Sequence, residues 1–399
     1  MDSIFFYRSP ENSLSGGGPL QGVNIAIQPN ISVASWPTDA GSKALANFTA
    51  LEDATLVQRL RQAGASLCGS TRMSEFGFGL EGSRAGEAIS RREADAELVL
   101  DLTGESRLAA SRAACCGFKP SYGLVSRFGV VGLIPSMECC GLLSGSLETL
   151  REILKAVAGP DDRDFSLPGE EIPDFSPRPV DPQTTTVGVL AEAQGELNGG
   201  HKDAFSASVE DLNRAGFAIR EISLPEFPLF SLVHNIVGSV EASSCAGRYD
   251  SVRYGQRIPG ARNWNEMYLL SRGAAFGPLV KSYLFQGAFF QFERYDAYEN
   301  ACRIRARLVK EMAGILSQVD FLVLPAVSGA SSGDPASITD LYARFSLTAF
   351  ANVTGQPVLY LPSATGEDQP GVQLVAPRLS DARLLDLGGH LLTMGKGGN

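Results

Sequence analysis

Few residues in this chain readily do chemistry. There are seven cysteines (Cys68, Cys115, Cys116, Cys139, Cys140, Cys245, Cys302) and three histidines (His201, His234, His390). Two cysteine pairs are adjacent, no CxxC occurs, and the histidines are far apart, so no metal site is expected. The odd count reads as reduced, mostly buried thiols in a cytoplasmic protein, packing as small apolar residues rather than acting as redox or nucleophilic centres. The other chemical feature is loop chemistry. Gly77, Gly79, Gly82 and Gly86 fall within ten residues, and Leu102-Thr103-Gly104-Glu105-Ser106 reads as a turn after a short apolar run.

These loops need strands and helices to hold them. Val23–Ile27 reads as a buried strand, Asp53–Ala63 as a helix closed by Gly64, and Ser66–Cys68 as the next strand. Leu98–Leu100 is a further strand. Leu147, Leu150, Ile153, Leu154 and Val157 mark one helical stripe, with Ser146 as cap and Gly159-Pro160 as stop. Further strands are expected at Val187–Leu190, Phe217–Ile222, Phe321–Leu324, Val358–Leu361 and Val372–Val375. Helices are expected around Phe205, Val209 and Leu212, and over Tyr295–Leu316. Strands alternating with helices imply an α/β fold with a mixed, largely parallel sheet covered on both faces. Residues 1–20 are polar and glycine-rich and are expected to be poorly ordered. Residues 21–399 are expected to form a single domain, with an exposed Pro- and Asp-rich connection at 159–186.

The chain has 399 residues, 44% of them hydrophobic, and a net charge of −10. That composition is globular and does not favour direct nucleic-acid binding. No apolar run of about 18 residues suggests a membrane span, and no signal peptide is visible.

Several stretches resemble the amidase signature family, in particular the branch of tRNA-dependent amidotransferase A subunits. They are GVNIAI at 22–27, AGSKALANFTALEDATLVQRLRQAGA at 40–65, MSEFGFG at 73–79, GFKPSYGLVSRFGVVG at 117–132, EASSCAGRYDSVRYG at 241–255 and EMYLLSRGAAFGPLVK at 266–281. The resemblance implies an amidase signature fold and hydrolysis of a small amide without cofactor or metal. It also implies B- and C-type amidotransferase subunits as partners.

The family's chemistry uses a serine nucleophile, a relay serine on a cis peptide, and a lysine base. A hydroxyl is a weak nucleophile near neutral pH and needs that base. By resemblance the nucleophile position falls on Ser106 and the cis-serine position on Ser83. The lysine position falls on Gln28, and the oxyanion turn on Thr103, Gly104 and Glu105. The lysine is therefore substituted, and a carboxamide nitrogen accepts no proton at neutral pH. Losing a positioned base slows reaction by about 10²–10⁴. The Glu105 carboxylate would oppose developing oxyanion charge unless Arg84 or Arg107 neutralises it. The family's basic substrate-binding stretch reads Val280-Lys281-Ser282-Tyr283-Leu284 here, and an acidic family position falls on Phe345. The expectation is a weak or inactive amidase-fold protein that binds a partner or ligand. The alternative is an active amidase or glutamine-dependent amidotransferase subunit working through Ser106, with Lys43 or Lys119 as a migrated base.

Overall fold

The computed structural model describes residues 3–10, 17–166, 169–328, 335–363 and 371–396. Its framework is one sheet of eleven strands. In chain order these are β1 Phe5–Arg8, β2 Asn24–Ile27, β3 Ser66–Thr71, β4 Ala96–Asp101, β5 Cys116–Lys119, β6 Cys139–Ser144, β7 Thr186–Leu190, β8 Ala218–Ile222, β9 Phe321–Pro325, β10 Val358–Leu361 and β11 Val372–Val375. Across the sheet the order is β1-β3-β2-β4-β6-β5-β10-β11-β9-β7-β8.

The sheet is mixed, as expected, but its parallel share is smaller than the strand–helix alternation implies. β2 runs parallel to β3 and β4, and β7 runs parallel to β8 and β9. The central ladders from β4 through β6, β5, β10 and β11 to β9 are antiparallel. The reason is local: β5 and β6 are joined by the irregular stretch after Lys119, with no crossover helix to bring the chain back in the same sense. Every residue of β4, β6, β9 and β10 is buried, so both faces of the central sheet are covered.

Most of the expected elements form where their patterns place them. The helix Leu147–Val157 is capped by Ser146, whose hydroxyl accepts from Thr149 N. The helix Tyr295–Leu316 runs its whole expected length. The N-terminus differs from expectation. Residues 5–8 form an edge strand antiparallel to β3, Phe5 is buried, and Tyr7 packs at a tilt against Trp36 with ring centroids 5.0 Å apart. Two aromatic side chains with apolar sites to fill outweigh the polar residues around them; residues 1–2 and 11–16 of that segment lie outside the described residues. The connection at 159–186 is mostly exposed, with Phe175 tucked in and its carbonyl accepting from Arg151. It joins two halves of one sheet, because β5 before it pairs with β10 after it.

Among the described residues no helix is long and apolar enough to cross a membrane. The helices Leu229–Ala246 and Pro278–Phe292, which the sequence reading did not resolve as elements, make close contact through Gly287. A Cβ there would sit 1.8 Å from the Ser239 carbonyl oxygen.

Candidate active-site region

The candidate site gathers at the end of β4, where the chain passes through Leu102-Thr103-Gly104 into the helix Glu105–Arg112. Gly104 takes φ +133°, and a Cβ there would meet Thr348 Cβ at 2.3 Å, so glycine is needed on both counts. Thr348 closes the turn from above by donating to the Thr103 carbonyl at 2.7 Å.

Three backbone N–H groups converge in this turn. Leu102 N, Thr103 N and Gly104 N donate to Glu105 Oε2 at 2.7, 2.7 and 3.1 Å, and the Thr103 hydroxyl donates to Oε1 at 2.7 Å. The N–H groups of Thr103 and Gly104, from the turn expected to hold an oxyanion, thus meet at one carboxyl oxygen together with that of Leu102, which the sequence reading did not single out. The carboxylate of Glu105 is the acceptor that fills the nest. The side chain sits at the helix start, where the dipole favours negative charge. Burial and then the nearby Asp101 charge push the Glu105 carboxyl up to about 7 against these hydrogen bonds.

Ser106 points elsewhere. It is 0% exposed, and its hydroxyl and N–H both donate to Asp101 Oδ2. Successive helical side chains diverge by about 100°, so Glu105 and Ser106 cannot face the same nest. Arg107 completes this layer. Its guanidinium donates to Asp101 Oδ1 (3.2 Å), Asn352 Oδ1 (2.8 Å), the Thr348 carbonyl (2.8 Å) and Gln373 Oε1 (3.1 Å). Arg107 therefore neutralises Asp101, whereas Arg84 pairs with Glu87. Burial alone would raise the Asp101 carboxyl, but Arg107, Ser106, Lys119 and Asn352 together hold it below the usual range.

Gln28 follows β2 and is 2% exposed. Its N–H donates to Leu98 O at 3.0 Å and its Oε1 accepts from Leu100 N at 2.9 Å. The side chain thereby extends the β2–β4 ladder by one rung. Ser83 is half-buried, accepts from Ala85 N at 3.2 Å, and donates its N–H to Leu80 O. Among the described residues no peptide bond is cis, so Ser83 departs from the cis-serine expectation and sits in an ordinary serine turn. Trans is the default by several kcal/mol for a non-proline bond, about 2.5–4. Gln28, Ser83 and Ser106 share no hydrogen bond with one another. Lys119 is buried with Nζ on the Pro120 carbonyl at 2.9 Å, and among the described residues neither it nor Lys43 bonds to either serine.

Two further sets of residues escaped the sequence reading. Glu97 on β4 is fully buried and accepts from Thr71 Oγ1 (2.6 Å) and Gly86 N (2.7 Å), anchoring the end of the glycine-rich loop. Burial pushes its carboxyl up to about 7. On the other side a buried chain runs from helix to helix. His234 Nε2 lies 2.8 Å from the Leu102 carbonyl and Nδ1 2.7 Å from Tyr342 Oη, which is 3.0 Å from Tyr283 Oη. A carbonyl only accepts, so Nε2 carries the proton, Nδ1 accepts from Tyr342, and Tyr342 accepts from Tyr283. Burial pushes the imidazole down to about 4, which keeps it neutral. Lone histidines and tyrosines give no pattern that links them before the helices are packed. Tyr283 occupies part of the stretch expected to bind substrate, and Phe345 is wholly buried in the core. Tyr342→Phe is expected to lower stability by about 1–3 kcal/mol, because His234 Nδ1 and Tyr283 both lose their partner. Thermal and urea unfolding would check this; an unchanged stability would mean the chain of hydrogen bonds is not continuous.

A family model described as Amidase matches residues 11–87 and 82–385. The chain is 33% identical to the A subunit of the glutamyl-tRNA(Gln) amidotransferase of Natronomonas pharaonis, covering 94% of this chain and 96% of that protein. It is 32% identical to the corresponding A subunit from Lactobacillus gasseri, covering 91% and 82%. Among solved structures, the glutamyl-tRNA(Gln) amidotransferase A subunit of Thermotoga maritima superposes with a TM-score of 0.78 at 21% identity, over 96% of this chain and 85% of that one. The peptide amidase of Stenotrophomonas maltophilia superposes with a TM-score of 0.75 at 23% identity, over 95% and 84%. The chain belongs to the amidase signature family. Within it, the chain resembles the glutamyl-tRNA(Gln) amidotransferase A subunits.

Proposed function

We propose that this amidase-family chain is weak or inactive in amide hydrolysis and acts by binding a partner. The observation that carries this reading is the Glu105 carboxylate seated on the three N–H groups of the turn. An oxyanion forming in amide hydrolysis needs such donors free and aimed at it. Here they are spent on a carboxyl oxygen of the chain itself, in a side chain that is 1% exposed. In this reading the Glu105 carboxyl occupies the place an oxyanion would take, and Ser106 is one step around the helix, committed to Asp101. Asp101 is a poor base for that serine, because its carboxyl is held low by Arg107 and its other donors. Gln28 supplies no base, and its amide oxygen is committed to Leu100 N.

The competing reading is an active amidase, or a glutamine-dependent amidotransferase subunit releasing ammonia through Ser106. A fluorophosphonate probe and a glutamine-to-ammonia assay separate the two. The expected result is no stoichiometric labelling and no ammonia release above a heat-treated control, with Ser106→Ala indistinguishable from the parent. Labelling that disappears in Ser106→Ala would establish the active reading instead. If the chain retains the assembly mode of its relatives, B- and C-type subunits are its partners, in the cytoplasm.

A further inference from the structure

One stretch of backbone is placed for a reaction of its own. Asn198 is followed by Gly199, the only Asn-Gly pair in the sequence. Asn198, Gly199 and Gly200 are all exposed. The pair stands at the start of the helix Gly199–Arg214, with Asn198 as the capping residue in extended backbone (φ −116°, ψ 150°). Gly199 is the first helical residue, so its N–H has no acceptor within the helix. It takes φ +41°, and no atom beyond its neighbours lies within 4 Å of where a Cβ would stand on it or on Gly200. Glycine here leaves the main chain free to rotate and the Gly199 nitrogen open to approach.

The other exposed asparagines at helix starts and within helices are placed differently. Asn263 caps the helix Trp264–Ala275, but its carboxamide oxygen accepts from Glu266 N at 2.9 Å and the next residue is Trp264. Asn265 precedes Glu266, whose nitrogen is the one that bond holds. Asn213 lies inside the helix Gly199–Arg214 and precedes Arg214. Helical backbone keeps the following nitrogen turned into the ladder and away from the side chain.

We propose that Asn198–Gly199 is a self-modification site, at which the chain converts its own carboxamide to a carboxylate. Solvent base takes the proton of the Gly199 N–H, and that nitrogen attacks Asn198 Cγ. The new N–Cγ bond closes a five-membered imide, the Cγ–Nδ2 bond breaks, and the amide nitrogen takes a solvent proton and leaves as ammonia. Water then opens the imide on either side. Cleavage of the new bond gives Asp, and cleavage of the original peptide bond gives isoaspartate, whose main chain is one methylene longer. Both products place a negative charge at a helix start, where the dipole favours it. Asp remains a good capping residue, whereas isoaspartate displaces the first turn.

The test incubates the purified full-length chain in mildly acid and mildly alkaline buffer and follows the tryptic peptide ending at Lys202 by mass spectrometry. Asn198 is its only asparagine. The expected change is NH replaced by O, split between two chromatographic peaks. The isoaspartyl peak is the one that accepts a methyl group from a protein isoaspartate methyltransferase. Conversion should be at least ~10-fold faster than at Asn213 or Asn265 in the same sample, and at least ~10-fold slower in Gly199→Ala, whose Cβ crowds the attacking nitrogen. It should quicken in the alkaline buffer, because that nitrogen must first lose its proton. Circular dichroism of Gly199→Ala should match the parent. The proposal is overturned if Asn198 stays intact, if it converts no faster than Asn213 and Asn265, or if Gly199→Ala converts as the parent does. The reaction consumes no glutamine and releases a single ammonia per chain, so it stands or falls independently of the glutamine-to-ammonia assay.

Discussion

Arg107→Met is expected to destabilise the fold by about 3–5 kcal/mol, the range for removing one partner of a buried ion pair. Arg107 and Asp101 are both wholly buried. The guanidinium joins the helix Glu105–Arg112 to Asp101 at the end of β4, to Asn352, to the Thr348 carbonyl and to Gln373 on β11. Methionine fills much of the volume but leaves the Asp101 carboxylate without its counter-charge. Asp101 would keep Ser106, Asn352 and the more distant Lys119. These are not enough to hold an ionised carboxylate in a dry layer, so its carboxyl should move up and the layer loosen. Asp101→Asn in the same chain should recover part of the loss, since the orphaned charge is then gone. Urea unfolding of the two single variants and the double variant measures the coupling. A single-variant loss below about 1 kcal/mol would show that the pair sits in a wetter place than its burial indicates.

The second expected result concerns Glu105→Gln and pH. The folded-state carboxyl of Glu105 is pushed up to about 7 from an ordinary 4.5, chiefly by burial and then by Asp101. For an acid raised by folding, the unfolded state ionises first as pH rises. Below about pH 4.5 both states are protonated and the group has no effect. Between about 4.5 and 7 the folded state loses stability with rising pH, and above 7 the loss is complete. The size is on the order of 3 kcal/mol, from about 1.4 kcal/mol per pH unit. Glutamine keeps an acceptor oxygen for the three N–H groups and removes the titration. The stability difference between Glu105→Gln and the parent should therefore shift in favour of the variant from pH 5 to pH 8. The comparison must be a difference. Glu97 is raised to about 7 as well and contributes a slope of the same sign. His234 is lowered to about 4 and acts oppositely: its stability loss sets in as pH falls below its ordinary 6.5. Burial holds Tyr283 and Tyr342 neutral throughout this range. Urea midpoints at pH 5, 6, 7 and 8 test the claim. A variant that tracks the parent at every pH would mean Glu105 titrates near its ordinary value.

The elements legible in the sequence were those with strong local signals. Ser146, the apolar stripe from Leu147 and Gly159-Pro160 delimit one helix almost to the residue. Val358–Leu361 and Val372–Val375 are strands at their expected bounds, since short apolar runs between turn signals have one sensible use in a covered sheet. The family motifs, too, are carried by the chain and needed no coordinates. β5 and β6 were not seen as strands, because cysteine, glycine and lysine in Cys116–Lys119 and two cysteines in Cys139–Ser144 give no alternation. Their pairing depends on β4 and β10, which come from distant parts of the chain.

At the site, sequence alone determined the residue types: a carboxamide at Gln28, an acid at Glu105 and a hydroxyl at Ser106. What they do was decided only by tertiary structure. Which of two adjacent residues reaches the N–H nest depends on the angular phase of the helix Glu105–Arg112, set by the turn at Gly104 and its contact with Thr348. A one-residue step is invisible in a motif but rotates a side chain by about 100°. The partners of Asp101, Arg107 and His234 lie more than a hundred residues away in several cases, at Asn352, Gln373, Leu102 and Tyr342. Charge and hydrogen-bonding capacity are properties of a residue type, but the direction in which they are spent is a property of packing.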